Sequence, residues 1–210
     1  AAQAFVGGLR DPDEAGLLVF NEFSDLRGQM GTRLEELSSA LSHPIRGGYT
    51  GLHDALYMGM KLADDAAGRP MVLLFTDGED NASWLDEEEL LEVARESSAV
   101  VHVIGIKSAR LSPLPPASGG AGSPKGPSDE MPSAVQDFLR NIAKATGGRV
   151  WYADSSADLE SVFLDVLEEM ESRYLLSYQL QGVPDQGWHE LEVRLERVKG
   201  ADIRSRIGYM

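Results

Sequence analysis

The sequence contains no cysteine, which excludes disulfide bonds and thiolate metal sites and leaves the redox compartment open. Basic residues are scarce too, because 19 Lys and Arg stand against 34 Asp and Glu and give a net charge of −15. This balance argues against nucleic-acid binding, which needs a basic surface, and favours cations or basic molecules as partners. No apolar run approaches the roughly 18 residues that a membrane span requires, so the sequence predicts no transmembrane helix.

The common catalytic motifs are missing as well. The sequence has no Gly-Lys-Ser/Thr, hence no P-loop, and no Gly-x-Ser-x-Gly. The four histidines show no metal-ligand spacing. His102 lies inside the apolar run 99–106 and is predicted to be a core histidine with its ring nitrogens satisfied.

What is present is the pattern of one globular domain with a small appended unit, since 42% of the 210 residues are hydrophobic. Apolar runs alternate with segments of helical periodicity over residues 1–173, which predicts an α/β domain with a mostly parallel sheet. Period-two alternation predicts strands at 174–180 and 191–195 and, less regularly, at 203–209, hence a C-terminal antiparallel β extension over 174–210. Residues 108–132 hold six of the ten prolines and predict a long surface loop or disordered insert.

Individual elements follow from the same patterns. Strands are predicted at 16–20, 23–30, 71–76, 99–106 and 149–153, of which 23–30 is a weak strand at the sheet edge. Helices are predicted between these strands, with side-chain caps at their starts formed by Thr32 with Glu35, by Asp86 with Glu89, and by Ser133.

The stretch 71–81 is the most informative. Its apolar strand is followed at once by Asp77 and Gly78, and ligands in open α/β sheets bind just beyond the carboxyl ends of such strands. Thr50 stands at a loop-to-helix junction after two glycines. Each residue also has a simpler interpretation, Thr50 as a helix cap and Asp77 as a turn-former. Together, a hydroxyl and a carboxylate from neighbouring loops would supply hard oxygen ligands of the kind that suits Mg²⁺.

Other interpretations of this stretch match less well. A calcium-binding loop starting at Asp77 would need Gly where the sequence has Ala82. A phosphotransfer aspartate of the haloacid dehalogenase kind would need a second Asp where the sequence has Glu79. The acidic run 86–92 is explained as a solvated helix start that the helix dipole favours.

Two segments resemble a known family. GGYTGLHDAL at 47–56 and VLLFTDGEDN at 72–81 resemble the second and third metal-site segments of the von Willebrand factor A (VWA) domain. TGGRVWYAD at 146–154 and the run from RYLLSYQL to IRSRIGY at 173–209 resemble the carboxyl-terminal part of bacterial VWFA-related domains of the Acidobacterial type. The resemblance covers nearly the whole chain outside 108–132. It implies a doubly wound, Rossmann-like fold and a non-enzymatic, metal-ion-dependent adhesion site.

By this resemblance, Thr50 is a direct ligand of Mg²⁺ or another divalent cation, and Asp77 ligates it directly or through water. The supporting or rim positions are Gly48, Tyr49, Asp54, Gly78, Glu79 and Asp80. The implied partner is another protein that presents an acidic side chain to the metal, with no nucleic acid and no membrane span involved. An extracytoplasmic location in a bacterium is implied in the same way, because such proteins are commonly exported.

One departure from the family limits these expectations. Its first metal segment, Asp-x-Ser-x-Ser, occurs nowhere in the sequence. In the family this segment ends a strand that would lie between the strands at 16–20 and 71–76. We therefore expect the sequence to be part of a longer chain, or another segment to fill this place, and the metal to bind only when the segment is supplied. The alternatives are a metal-independent structural or assembly scaffold and an Asp77-based hydrolase, for which no base, nucleophile or phosphate-binding loop is visible.

Overall fold

The computed structural model describes residues 2–11, 13–43, 48–68, 70–106, 131–174, 176, 182, 187–196, 200 and 203–209. Their helices are α1 (Ala2–Gly8), α2 (Leu34–Leu41), α3 (Leu52–Asp64), α4 (Glu87–Glu96), α5 (Ser133–Thr146) and α6 (Ser156–Ser172). Their strands are β1 (Leu17–Phe20), β2 (Ser24–Gly28), β3 (Met71–Thr76), β4 (Val100–Ile106), β5 (Val150–Ala153), β6 (His189–Glu190) and β7 (Gly208–Tyr209).

A parallel sheet of order β3-β4-β5 forms the centre of the domain. Side chains alternate between its two faces, so that Leu74 and Val103 join a core made with α3, α4 and α5. Ile104 and Trp151 point to the other face and pack with α6 and α1. Helices thus cover both faces, which explains the near-continuous apolar runs of β3 and β4 and confirms the expected doubly wound α/β fold.

The hairpin of β1 and β2 forms an antiparallel sheet of its own. The weak strand predicted at 23–30 is shorter in the structure, Ser24–Gly28, and pairs with β1. Within the described ranges, no ladder joins this hairpin to β3, so β3 is an edge strand of the central sheet. Its residue Phe75 is accordingly 43% exposed, although the apolar run predicted burial on both faces.

Helix starts agree with the sequence pattern at one of three places. Asp86 and Glu89 form the predicted capping box of α4, with Glu89 N–H donating to Asp86 Oδ1 at 2.9 Å and Asp86 N–H donating to Glu89 Oε2 at 3.0 Å. The predicted cap of α2 by Thr32 is wrong, because the N-cap is Arg33, whose side chain makes no capping hydrogen bond. Thr32 belongs instead to the preceding turn, where its N–H donates to Gln29 O.

The start of α5 also differs from the prediction. Pro132 is its N-cap, and Ser133 is the first helical residue. Met131, assigned to the insert, is buried in the core and packs close to Gly78 and Gly105. The α/β body therefore resumes at residue 131, and residues 108–130 of the predicted insert lie outside the described residues.

The C-terminal region contains a small antiparallel pair, with His189 opposite Tyr209 and Glu190 opposite Gly208. The alternating run 191–195 is not a strand, although Leu191 N–H donates to Ile207 O at 2.9 Å. Most of the strand predicted at 174–180 lies outside the described residues. In the part of the chain that can be described, no helix combines the length and apolar character that a membrane crossing needs.

Two arginines tie the C-terminal region to the α/β body. Arg204 pairs with Glu169 of α6 at 3.0 Å, and Arg206 donates to the backbone oxygen of Arg95 at the end of α4 at 2.5 Å. The sides of two helices are thereby linked to residues 203–209.

Candidate binding site at the carboxyl edge of the sheet

Thr50 is held against the loop that follows β3. Its N–H donates to Asn81 Oδ1 at 2.7 Å, and its backbone oxygen accepts from the N–H groups of Asn81 at 2.9 Å and Ala82 at 3.0 Å. The N-cap of α3 is Gly51, so Thr50 does not cap the helix. Within the described part of the chain, the half-buried Thr50 has no hydrogen-bond partner for its hydroxyl, which leaves this oxygen available as a ligand.

Asp77 follows β3 directly and is exposed. Its Oδ1 accepts from Glu79 N–H at 3.2 Å, as a turn-forming aspartate does, while Oδ2 accepts no bond from a described residue. Gly78 has a φ of 85°, and a Cβ there would lie 2.8 Å from Val135 and 2.9 Å from Met131. Glycine is therefore required for the turn that presents Asp77 at the sheet edge.

Asp80 serves the start of α3 from a distance. Its Oδ1 accepts from Leu52 N–H at 2.8 Å and from the Ser83 hydroxyl at 2.6 Å, and its Oδ2 lies 3.5 Å from His53 Nδ1. Ser83 Oγ in turn accepts from His53 N–H at 3.0 Å. Since Gly51 has no side chain to offer, these two residues satisfy the free N–H groups of the first turn.

Asp54 stabilises the same loop from the helix side. Its carboxylate accepts from Trp84 N–H at 3.0 and 3.1 Å and from Leu85 N–H at 3.1 Å. Asp54 and Asp80 thus support the arrangement of the two loops, and backbone groups already occupy oxygens that a metal would need.

The rim of the site is formed with the hairpin loop 21–23. Glu22 Oε2 accepts from Tyr49 N–H at 3.0 Å, and Gly51 N–H donates to Asn21 O at 2.7 Å. Gly48 adopts a φ of 94° beside Glu22, where a Cβ would lie 2.7 Å from Glu22 Oε2. Glu79 is exposed on the opposite loop. The loops 21–23, 48–51 and 77–85 therefore meet around Thr50. Hydrogen bonds join the first and the third of these loops to the loop that contains Thr50.

Two aromatic residues that the sequence pattern did not single out lie at this rim with the expected Tyr49. Phe23 and Trp84 are 74% and 94% exposed, and Tyr49 beside Thr50 is 66% exposed. Each belongs to one of the three converging loops. The available signal was a large aromatic residue in an otherwise polar loop, as in Asn21-Glu22-Phe23-Ser24 and Ala82-Ser83-Trp84. These aromatic residues become candidates for binding only because the fold brings their three loops together.

The donors at this edge match a hard cation in type but do not form a closed metal site. Thr50 and Asp77 offer a hydroxyl and a carboxylate, which are ligands that Mg²⁺ accepts while keeping several waters. Across the described residues, no three His, Asp or Glu side chains are grouped so that they could hold a metal ion. Further protein ligands would have to come from beyond this set.

His102 lies away from this edge, buried in β4. Its Nδ1 accepts from Arg149 N–H at 3.2 Å, but its Nε2 has no hydrogen-bond partner among the described residues and lies 3.8 Å from Glu169 Oε1. The prediction of a core histidine is confirmed, and that of two satisfied nitrogens is wrong. Burial, with the positive charges of Arg173, Arg204 and Arg149, lowers the pKa of His102 to about 4.

A parallel sheet covered on both faces by helices, with three loops meeting beyond its carboxyl edge, defines a doubly wound α/β fold. Solved structures that share this fold show that it is VWA-like. BatB from Bacteroides thetaiotaomicron, a conserved hypothetical protein, is 16% identical with a TM-score of 0.57, and the match covers 81% of this chain and 85% of that one.

Two further structures show the same fold. A von Willebrand factor type A protein from Catenulispora acidiphila is 17% identical with a TM-score of 0.60, over 80% of this chain and 36% of that one. An aerotolerance-related membrane protein from Bacteroides fragilis is 17% identical with a TM-score of 0.56, over 80% of this chain and 87% of that one. No protein-family model matches the sequence, and no curated protein matches it significantly.

Proposed function

We propose that the chain is a non-enzymatic protein-binding module whose partner docks on the surface formed by loops 21–23, 48–51 and 77–85. The observation that carries the proposal is the aromatic rim, defined as Phe23, Tyr49 and Trp84, which are 74%, 66% and 94% exposed. Large aromatic side chains on well-anchored loops lose little entropy on binding and are enriched at protein interfaces.

We also propose that this surface holds a divalent cation, with Mg²⁺ as the first candidate. The Thr50 hydroxyl and the Asp77 carboxylate would be its ligands, completed by water and by a protein segment outside the described set. The acidic character of the chain, at a net charge of −15, favours cation binding. When bound, the metal would supply a position for an acidic side chain of the partner protein.

A metal-independent interaction scaffold is the second candidate, and a specific observation favours it. Two carboxylates close to the site, those of Asp54 at the start of α3 and Asp80 in the loop of Asp77, accept hydrogen bonds from backbone N–H groups. On this candidate the aromatic rim binds the partner without a cation, and a chelator leaves binding unchanged.

Affinity capture with matched variants tests the docking surface. The immobilised full-length protein is compared with a triple variant, Phe23→Ser, Tyr49→Ser and Trp84→Ser, and with Tyr174→Ser as a control that removes an aromatic residue 90% exposed elsewhere. We expect a specific set of captured proteins that the triple variant loses and the control keeps. Capture of the same set by the triple variant would contradict the proposal, and a repeat with EDTA separates the two candidates.

We propose an extracytoplasmic location in a bacterium for this module. The similarity to a Bacteroides fragilis chain described as an aerotolerance-related membrane protein supports it. Fractionation of the native host with an antibody against the chain tests it, and recovery only in the cytosol would contradict it.

A further inference from the structure

A cleft lies at the edge of the central sheet opposite to the candidate site. It is a cleft of about 520 Å³ between the end of α5, the start of β5 and the segments 191–193 and 203–207. Because β3, β4 and β5 run parallel, the start of β5 lies at the amino edge of the sheet, whereas Asp77 lies beyond the carboxyl edge. The cleft therefore has no part in the surface assigned to the partner protein.

The charge of this cleft is opposite to that of the chain. Its described lining contains four basic residues and one acidic residue, namely Arg140, Lys144, Arg149, Arg204 and Glu192. In the whole sequence, acidic residues outnumber basic ones by 34 to 19. A local excess of cations in an acidic protein raises the concentration of anions at that position.

Part of this positive charge is not neutralised by the protein. Arg140 pairs with Asp137 at 2.8 Å, and Arg204 pairs with Glu169 at 3.0 Å. In contrast, neither Lys144 nor Arg149 forms an ion pair with any described residue. The Arg149 guanidinium lies over the Trp151 ring at 5.2 Å, which steadies it without cancelling its charge.

The helix dipole of α5 accounts for the position of Lys144 but not for that of Arg149. Lys144 lies in the last turn of α5, where a cation interacts favourably with the free carbonyl groups. Arg149 lies beyond the end of that helix and immediately before β5, and it gains no such stabilisation. Among the described lining residues the one acidic side chain, that of Glu192, pairs with Arg194 at 2.7 Å.

The remaining walls of the cleft are largely apolar. They are formed by Ala143, Val150, Leu191, Val193, Ile203 and Ile207. A cleft of this volume, with apolar walls and several charged residues in its lining, is typical of sites for small organic molecules. An inorganic anion would pair with the cations but would leave the apolar walls without a partner. The lining therefore favours a ligand that has both an anionic group and an apolar group.

We propose that this cleft binds a small organic anion that has an apolar body and a carboxylate or phosphate head. The head pairs with Lys144 and Arg149, and the body packs on the apolar wall residues of the C-terminal segments. The C-terminal region thereby acquires a role in ligand binding at a site separate from the docking surface.

A fluorescence titration with 8-anilinonaphthalene-1-sulfonate, an anion with an aromatic body, tests the proposal on the intact protein. We expect saturable binding whose dissociation constant rises about tenfold or more in Lys144→Gln and in Arg149→Gln. Both side chains are exposed, so the variants should keep the fold, which circular dichroism checks. Lys61→Gln, which removes an exposed lysine from α3, should bind the dye as the unmodified protein does.

Competition then identifies the head group. Displacement of the dye by octanoate indicates a carboxylate ligand, displacement by hexyl phosphate indicates a phosphate ligand, and either result supports the proposal. Failure of both to displace the dye would overturn it, as would equal dye affinity of the two cleft variants and the Lys61→Gln control.

Discussion

Asp77 and Asp80 belong to one acidic loop, yet their carboxylates have different surroundings. The Asp80 side chain is 20% exposed and accepts bonds from Leu52 N–H and the Ser83 hydroxyl, so it stabilises the start of α3. Asp77 is exposed and uses one oxygen for its own turn. At the scale of single residues, the loop therefore separates a structural carboxylate from one that can meet a ligand.

Asp80→Ala tests the structural role. The Leu52 N–H would lose its acceptor in a buried position, and we expect the free energy of unfolding to fall by about 1–2 kcal/mol in urea denaturation. Glu79→Ala is the matched control, because Glu79 is exposed and its side chain makes no bond with a described residue; its effect should stay within about 0.5 kcal/mol. Equal effects of both substitutions would contradict this role of Asp80.

His102 makes stability depend on pH. Its pKa is about 4 in the folded chain against an ordinary 6.5, because burial disfavours the charged ring. Between these values the unfolded chain binds a proton that the folded chain does not, so stability falls as the pH falls. With respect to His102, the free energy of unfolding is highest above pH 6.5, and the titration of this residue lowers it by roughly 3 kcal/mol between pH 6.5 and pH 4.

Urea denaturation at several pH values measures this dependence. His102→Asn should flatten the change in unfolding free energy between pH 6.5 and 4, and His43→Asn, at an exposed position on the end of α2, should leave it unchanged. A wild-type slope in His102→Asn would show that other groups cause the pH dependence.

At the scale of elements, periodicity predicted the parts that bury apolar surface. The apolar runs of β3 and β4 predicted strands, and the apolar stripe of α5 predicted a helix with Phe138, Leu139 and Ile142 on its buried side. These predictions succeed because the same burial that stabilises an element determines which of its positions are apolar. Helix caps were less predictable, since Thr32 and Ser133 each lie one residue from the observed N-cap. The local sequence does not determine at which of two adjacent residues the preceding turn ends and the helix begins.

Gly148 lies where the connection from α5 to β5 passes close to the backbone of β4. A Cβ at this position would lie 1.9 Å from the backbone oxygen of Val101 in β4, a contact that no side-chain rotation can relieve. We expect Gly148→Ala to lower the free energy of unfolding by about 3 kcal/mol. Gly7→Ala in α1, where nothing lies within 4 Å of the added carbon, should be neutral or raise it by about 0.5–1 kcal/mol. Comparable losses at both glycines would refute the steric explanation.

At the scale of the whole molecule, the two edges of the central sheet differ in chemistry. The carboxyl edge has an acidic surface with three exposed aromatic side chains, and the amino edge has a basic cleft closed by the C-terminal region. Strand-end position and the resemblance to VWA segments placed Thr50 and Asp77 at the first edge. Of the aromatic rim, Tyr49 was expected from the resemblance. Phe23 and Trp84 were not predicted, because they are far apart in sequence and only the tertiary fold brings their loops to Thr50.

A cation site shared by Thr50 and Asp77 is tested by isothermal titration calorimetry of Mg²⁺ into the full-length protein that includes the segment with the remaining ligands. We predict saturable binding of one ion that weakens at least tenfold in Thr50→Val and in Asp77→Asn. Asp65→Asn, which removes an exposed carboxylate at the end of α3, should bind Mg²⁺ as the unmodified protein does. Absence of saturable binding, or equal affinity in all three variants, would contradict the claim.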